Sequence, residues 1–125
     1  MEGIAEYETR LRPVMTLQTS YLKSDQALVS AVKAAKGVVL AMDEKGKQFT
    51  SVEFSSLLYR SFQEGGASVA FVVGGFDGLP EEIRASYPLI SLSRMTWTHQ
   101  MARLLLIEQI YRASEIHKGS GYHKE

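Results

Sequence analysis

Apolar residues in this chain change rhythm several times, and each change marks an element. Ile4, Tyr7 and Leu11 recur at helical spacing, with Glu2 and Glu6 in the first turns and Pro13 as a stop, which predicts an opening helix. In residues 14–22, Val14, Thr16 and Gln18 alternate with Met15, Leu17 and Thr19, and β-branched residues are frequent. That alternation predicts a strand. Ser24 and Asp25 then supply an N-cap for a helix over residues 26–35, with Leu28, Val29, Val32 and Ala35 on its apolar face and Gly37 as its stop.

Val38 to Met42 is an unbroken apolar run ending at Asp43, the pattern of a strand covered on both faces, and E-K-G-K at 44–47 reads as its turn. Thr50 stands three residues before Glu53, a capping box for the helix that carries Phe54, Leu57, Leu58 and Phe62, and Gly65 and Gly66 end it. Ser68 to Val73 is a second apolar strand that runs into Gly74-Gly75-Phe76-Asp77-Gly78. Pro80 opens a short acidic helix over 80–86, Leu89 to Leu92 is a third apolar run, and a helical pattern continues from Thr98 to about Lys118. Strands alternating with helices, with the strands apolar nearly throughout, make the class α/β: a mostly parallel sheet with helices on both faces.

Composition narrows the picture. The chain has 125 residues, 14 basic against 14 acidic, and no cysteine. That is the size of one domain, expected over residues 1–125, and there is no internal repeat or linker tract to divide it. Zero net charge argues against a polybasic binder of nucleic acid or membrane, though a local basic patch remains compatible with it. Lack of cysteine removes disulfides, a thiolate nucleophile and Cys-type zinc sites. No window approaches the roughly 18 apolar residues of a membrane span, and the N-terminus has neither a signal-type apolar run nor the acid-poor composition of a transit peptide. A soluble protein is expected.

Candidate chemistry starts at the glycine turn. An apolar strand followed by G-G-x-x-G puts bare backbone at the carboxyl end of a parallel strand, where open α/β sheets bind ligands; it also suits a tight turn alone. It is neither G-x-G-x-x-G nor a P-loop. His99 and His117 would lie about 27 Å apart on one helix and cannot share a metal, and no paired histidine or serine-hydrolase motif occurs. In the last helix, Met101, Leu104, Leu105, Leu106, Ile107, Ile110 and Tyr111 cover more than half the circumference. A helix that broad is buried on two sides, and the second side reads as another subunit, hence a homodimer. Around it, Arg94, Arg103, Arg112, Lys118 and Lys124 form a mildly basic region in which Trp97, Tyr111 and Tyr122 could stack on bases.

Residues 71–125 carry a long ordered string of motifs: a G-G-x-x-G turn at Gly74, L-S-x-M-T-x-x-H-Q-M-x-R at 92–103, L-I-E-Q-x-Y-R-A at 106–113 and Y-H-K at 122–124. This string resembles the C-terminal half of the RlmH (YbeA-like) family of SPOUT RNA methyltransferases. Residues 38–55 are similar, more loosely, to that family's middle strand and following helix.

The resemblance implies an α/β SPOUT fold with a C-terminal trefoil knot in about residues 71–125. It also implies S-adenosylmethionine-dependent methylation of N3 of a pseudouridine in 23S rRNA, performed by a homodimer on the assembled large subunit or ribosome. It places the cofactor against Met42, Gly74, Gly75, Leu92, Ser93, Arg94, Met95, Thr96 and Trp97. His99 and Arg103 would be catalytic, and Arg112, Tyr122, His123 and Lys124 would face RNA. Histidine titrates near neutrality and suits a proton acceptor, while arginine suits a developing anion. No metal and no membrane are implied, and the location would be cytoplasmic, or organellar in a plant or alga. The family's first strand precedes its first helix, whereas Met1 falls at that helix here, so the sheet is expected to lack that strand and to keep an open edge. Two other readings compete: a catalytically impaired SPOUT dimer that binds ribosomes or RNA, and a small-molecule methyltransferase or nucleotide binder using the same turn.

Overall fold

The computed structural model describes residues 2–75 and 78–124; Met1, Phe76, Asp77 and Glu125 lie outside the described residues. The elements run α1 (Glu2–Leu11), α2 (Asp25–Ala34), β1 (Val38–Gln48), α3 (Ser51–Glu64), β2 (Val69–Val73), α4 (Glu81–Ser86), β3 (Leu89–Ser91) and α5 (His99–Lys118). The sheet has the order β2-β1-β3, and both neighbours run parallel to β1.

Side chains alternate across a strand, so a central strand covered twice feeds two cores. Leu40 and Met42 point into the larger one, with Phe54 and Leu58 of α3, Ile107 and Ile110 of α5 and Leu11 of α1. Val39 and Ala41 point the other way, to Val32 of α2, Ile83 of α4 and Val72. The unbroken apolar run in the sequence is therefore two interleaved faces, as expected of an α/β sheet. Among the described residues no helix is long and apolar enough to cross a membrane.

Local signals fix most helix ends. Ser24 Oγ accepts from the Ala27 amide at 3.1 Å. Thr50 and Glu53 form the reciprocal capping box, with Thr50 N–H donating to Glu53 at 2.8 Å and Glu53 N–H to Thr50 Oγ1 at 3.1 Å. Thr98 Oγ1 accepts from Met101 N–H, and Gly119, in the left-handed region at φ +72°, closes α5. The stop of α2 differs from expectation: Ala35 in extended conformation caps it, before Gly37 is reached.

Three expectations need correction. Residues 14–22 form no strand. Met15 and Leu17 pack against the larger core, but Val14, Tyr21 and Leu22 are exposed, and no neighbouring strand offers the segment a ladder. Among the described residues the outer edge of β2 likewise has no strand beside it.

The E-K-G-K segment does not end its strand either. Met42 and Lys47 both pair with Ile90, so residues 43–46 are a bulge within β1, which then continues beside β3 to Gln48. Gly46 is required there because a Cβ would lie 2.5 Å from the Leu89 carbonyl carbon.

Lastly, α5 is flanked by α3 on one side and α1 on the other. Tyr7 lies 5.7 Å from Tyr111, ring centre to ring centre. The second apolar side of α5 is thus covered at least partly within the chain, and its breadth alone does not demand another subunit.

Candidate functional site

Parallel strands bring their carboxyl ends to one side, and there the ends of β1, β2 and β3 meet the start of α5 around a cleft of about 390 Å³. That volume falls within the roughly 300–1,000 Å³ of small-molecule sites. Met42 and Val73 form the floor. Gly74 and Gly75 make one wall with bare backbone, and Gly74 has no room for a side chain, since a Cβ would stand 2.5 Å from the Gly78 carbonyl carbon. Leu92, Ser93, Met95, Thr96 and Trp97 form the opposite wall, from the segment that joins β3 to α5.

Eight of the nine residues expected at the cofactor therefore line one cleft. Arg94 is the exception: its guanidinium turns back and donates to the Glu44 carbonyl at 2.9 Å.

Sequence reasoning missed the bulge of β1. Asp43, Glu44 and Lys45 all line the cleft, because the bulge lifts them out of the ladder. Asp43 Oδ1 accepts from the Lys45 amide at 2.8 Å, and Asp43 Oδ2 lies 3.1 Å from Nε of Arg84 on α4. That Arg84 N–H is buried and points off the hydrogen-bonding direction, so charge rather than a hydrogen bond joins the pair. Glu44 Oε2 accepts from the Thr96 hydroxyl at 2.6 Å. No local signal links Glu44 to Thr96; only the fold brings them together.

The two residues expected to be catalytic part company. His99, the first residue of α5, is exposed and lines the cleft. Arg103 is one turn further along, half-buried and outside the cleft lining, with its guanidinium 4.7 Å from the Tyr21 ring centre and Nε without a hydrogen-bond partner. His117, at the far end of α5, stacks on Tyr59 at 3.7 Å and is remote from His99.

The residues expected to face RNA gather at that far end. Arg112 donates to both Glu108 carboxylate oxygens, at 3.3 and 2.9 Å, and sits 3.1 Å from His123 Nδ1. Tyr122 donates its hydroxyl to Glu108 at 3.2 Å and lies under the Arg112 guanidinium at 4.9 Å. The Glu108 hydrogen bond holds the Arg112 guanidinium above its ordinary value. Burial, then the Glu108 charge, pushes the Tyr122 phenol up to about 12. Lys124 is exposed beside them. Tyr111, expected to stack on bases, is instead enclosed between Tyr7 and Tyr122, whereas Trp97 stands open at the cleft.

Comparison with known proteins adds a separate line. Residues 1–123 match the family described as "Predicted SPOUT methyltransferase". The chain is 39% identical over 123 residues to Ribosomal RNA large subunit methyltransferase H of Protochlamydia amoebophila, covering 98% of this chain and 87% of that one. It is 36% identical over 142 residues to the protein of that name from Parabacteroides distasonis, covering 100% and 90%. With the one from Prochlorococcus marinus strain SARG it shares 43% over 104 residues, or 82% and 69%.

Proposed function

The chain belongs to the RlmH family of SPOUT methyltransferases, and from that membership and the cleft we infer that it methylates large-subunit ribosomal RNA with S-adenosylmethionine as the methyl donor. The single observation that carries the cofactor reading is the convergence of Met42, Gly74, Gly75 and the 92–97 segment on one cleft. The site fits such a ligand physically. Apolar surface from Val73, Leu79 and Leu92 suits a flat base, and bare glycine backbone admits close approach.

When bound, the cofactor supplies an electrophilic methyl group. The chain's own residues then have three tasks: to bury the ligand, to align the acceptor nitrogen, and to manage its proton. Trp97, exposed at the cleft mouth, can stack on an incoming base. His99 is placed to accept a proton there. Arg103, one turn behind, lies outside the cleft lining with its guanidinium over the Tyr21 ring, so His99 is the stronger assignment.

The finer reading is that the acceptor is N3 of a pseudouridine in 23S rRNA within the assembled subunit, that residues 71–125 form the family's trefoil knot, and that two copies act together. Arg112 lies about 20 Å along α5 from His99. A homodimer is favoured by this separation, because a second copy could bring its tail cluster, with Tyr122, His123 and Lys124, toward the first cleft.

Calorimetric titration with S-adenosylmethionine, followed by mass spectrometry of 23S rRNA from unmethylated ribosomes incubated with protein and cofactor, tests the proposal. Binding with a mass gain of one methyl group is the expected result. Binding without methylation would instead favour an impaired ribosome-binding dimer or a small-molecule enzyme, which a ribosome pull-down separates. No binding by folded protein defeats the cofactor reading.

A further inference from the structure

We infer that Glu44 is a positioning residue that holds the cofactor-facing wall of the cleft in its binding conformation. The inference rests on the S-adenosylmethionine reading only for its functional consequence. The clamp itself stands on geometry.

The segment from Leu92 to Thr98 belongs to no helix or strand, and from Arg94 onward it is exposed. Left alone, such a segment samples many conformations, and the cost of ordering it would fall on ligand binding. Three contacts tie it to one residue of the β1 bulge. The Glu44 carboxylate accepts from the Thr96 hydroxyl at 2.6 Å. The Glu44 carbonyl accepts from Arg94 Nη1 at 2.9 Å and from Ser91 Oγ at 3.2 Å. Ser91 is buried, and its one hydroxyl proton is shared between the Glu44 carbonyl and the Ser93 carbonyl at 2.9 Å, which carries the anchor into the segment, where Ser93 Oγ accepts from Met95 N–H at 3.0 Å.

The preceding residue does the same for the opposite side. Asp43 faces Arg84, so α4 is drawn to the bulge from across the cleft. Neighbouring carboxylates on one bulge thus hold both sides of the site, and only Glu44 reaches the segment expected to contact the ligand.

Substituting Glu44 removes the Thr96 contact alone, because both carbonyl contacts survive any side-chain change. Glu44→Gln keeps an acceptor oxygen for the hydroxyl, whereas Glu44→Ala does not. Two readouts are needed, one of them independent of any ligand.

In the free protein, amide hydrogen exchange at Met95 should be about five- to tenfold faster in Glu44→Ala than in wild type and close to wild type in Glu44→Gln. In calorimetry with S-adenosylmethionine, Glu44→Ala and Thr96→Val should each weaken binding about five- to tenfold. The double variant should be no weaker than either, because both remove one contact. In turnover the loss should appear as a raised KM for S-adenosylmethionine.

Unchanged exchange at Met95, additive losses, or a Glu44→Gln variant as impaired as Glu44→Ala would overturn the clamp. If Glu44→Ala fails to melt cooperatively, Thr96→Val and Glu44→Gln carry the same comparison. Wild-type protein that melts normally yet does not bind S-adenosylmethionine would refute the cofactor reading, and the exchange data would still decide the clamp.

Discussion

Single residues at the two ends of α5 define two different chemistries. His99 is open to the cleft, and its neighbours Thr98 and Met101 bond each other. Removing its imidazole should lower methyl transfer by about a hundredfold or more while calorimetry still detects S-adenosylmethionine. Turnover unchanged in His99→Ala would exclude the role. At the other end, the Tyr122 phenol is raised from 10.0 to about 12 by burial and by the Glu108 charge. A raised phenol favours its protonated form in the folded chain. Its contribution to stability is therefore present below pH 10 and is lost as pH climbs toward 12. Burial raises the Tyr59 phenol as well, so ultraviolet titration should show late-ionising tyrosines, and Tyr122→Phe should remove the step near pH 12. These residues were legible in the sequence as a group, through the Y-R-A and Y-H-K motifs. What the motifs could not convey is that Arg112 and Tyr122 share one carboxylate, Glu108.

Elements were legible where the signal is local and opaque where it depends on a neighbour. The capping box at Thr50 and Glu53 is wholly local, and it formed as expected. Hydrogen bonding to Thr50 lowers the Glu53 carboxyl below its ordinary 4.5. A depressed carboxyl adds stability above its unfolded value and loses it as pH falls through the folded one. Glu53→Gln should accordingly melt below wild type at neutral pH, and the gap should close on acidification from about pH 4.5 downward; a constant gap would exclude an ionic contribution. Residues 14–22 show the opposite case. Alternation and β-branching satisfy a strand's own requirements, but a strand also needs a hydrogen-bonding neighbour, and that requirement is not written in the segment. Gly46 misled for a related reason. Glycine serves both turns and close backbone approaches, and here the approach of Leu89, some forty residues away in sequence, is what excludes a side chain.

At the scale of the molecule, the α/β class, the two-sided burial of β1 and the placement of the cleft were all legible, because alternating strands and helices leave few ways to cover a sheet. The clamp at the bulge was not, since it depends on register. A site whose walls come from β1, β2, the segment after β3 and α5 draws on most of the fold, so occupying it should stabilise the whole. S-adenosylmethionine at a hundred times its dissociation constant should raise the melting temperature by about 10 °C, following roughly 2.7 kcal/mol of linkage. A shift for S-adenosylmethionine no larger than that for an unrelated nucleotide at equal concentration would contradict that.

The packing of α1 on α5 has one further consequence, for the chain as it is made. Leu11 is 0% exposed in the finished fold, yet the helix that helps cover it begins at His99. At about 5–20 residues per second, translation leaves an interval on the order of ten seconds in which α1 has emerged and α5 has not. During that interval Leu11, Tyr7 and Ile4 form an apolar stripe without a cover, so the nascent chain, rather than the native protein, is the form most in need of a chaperone.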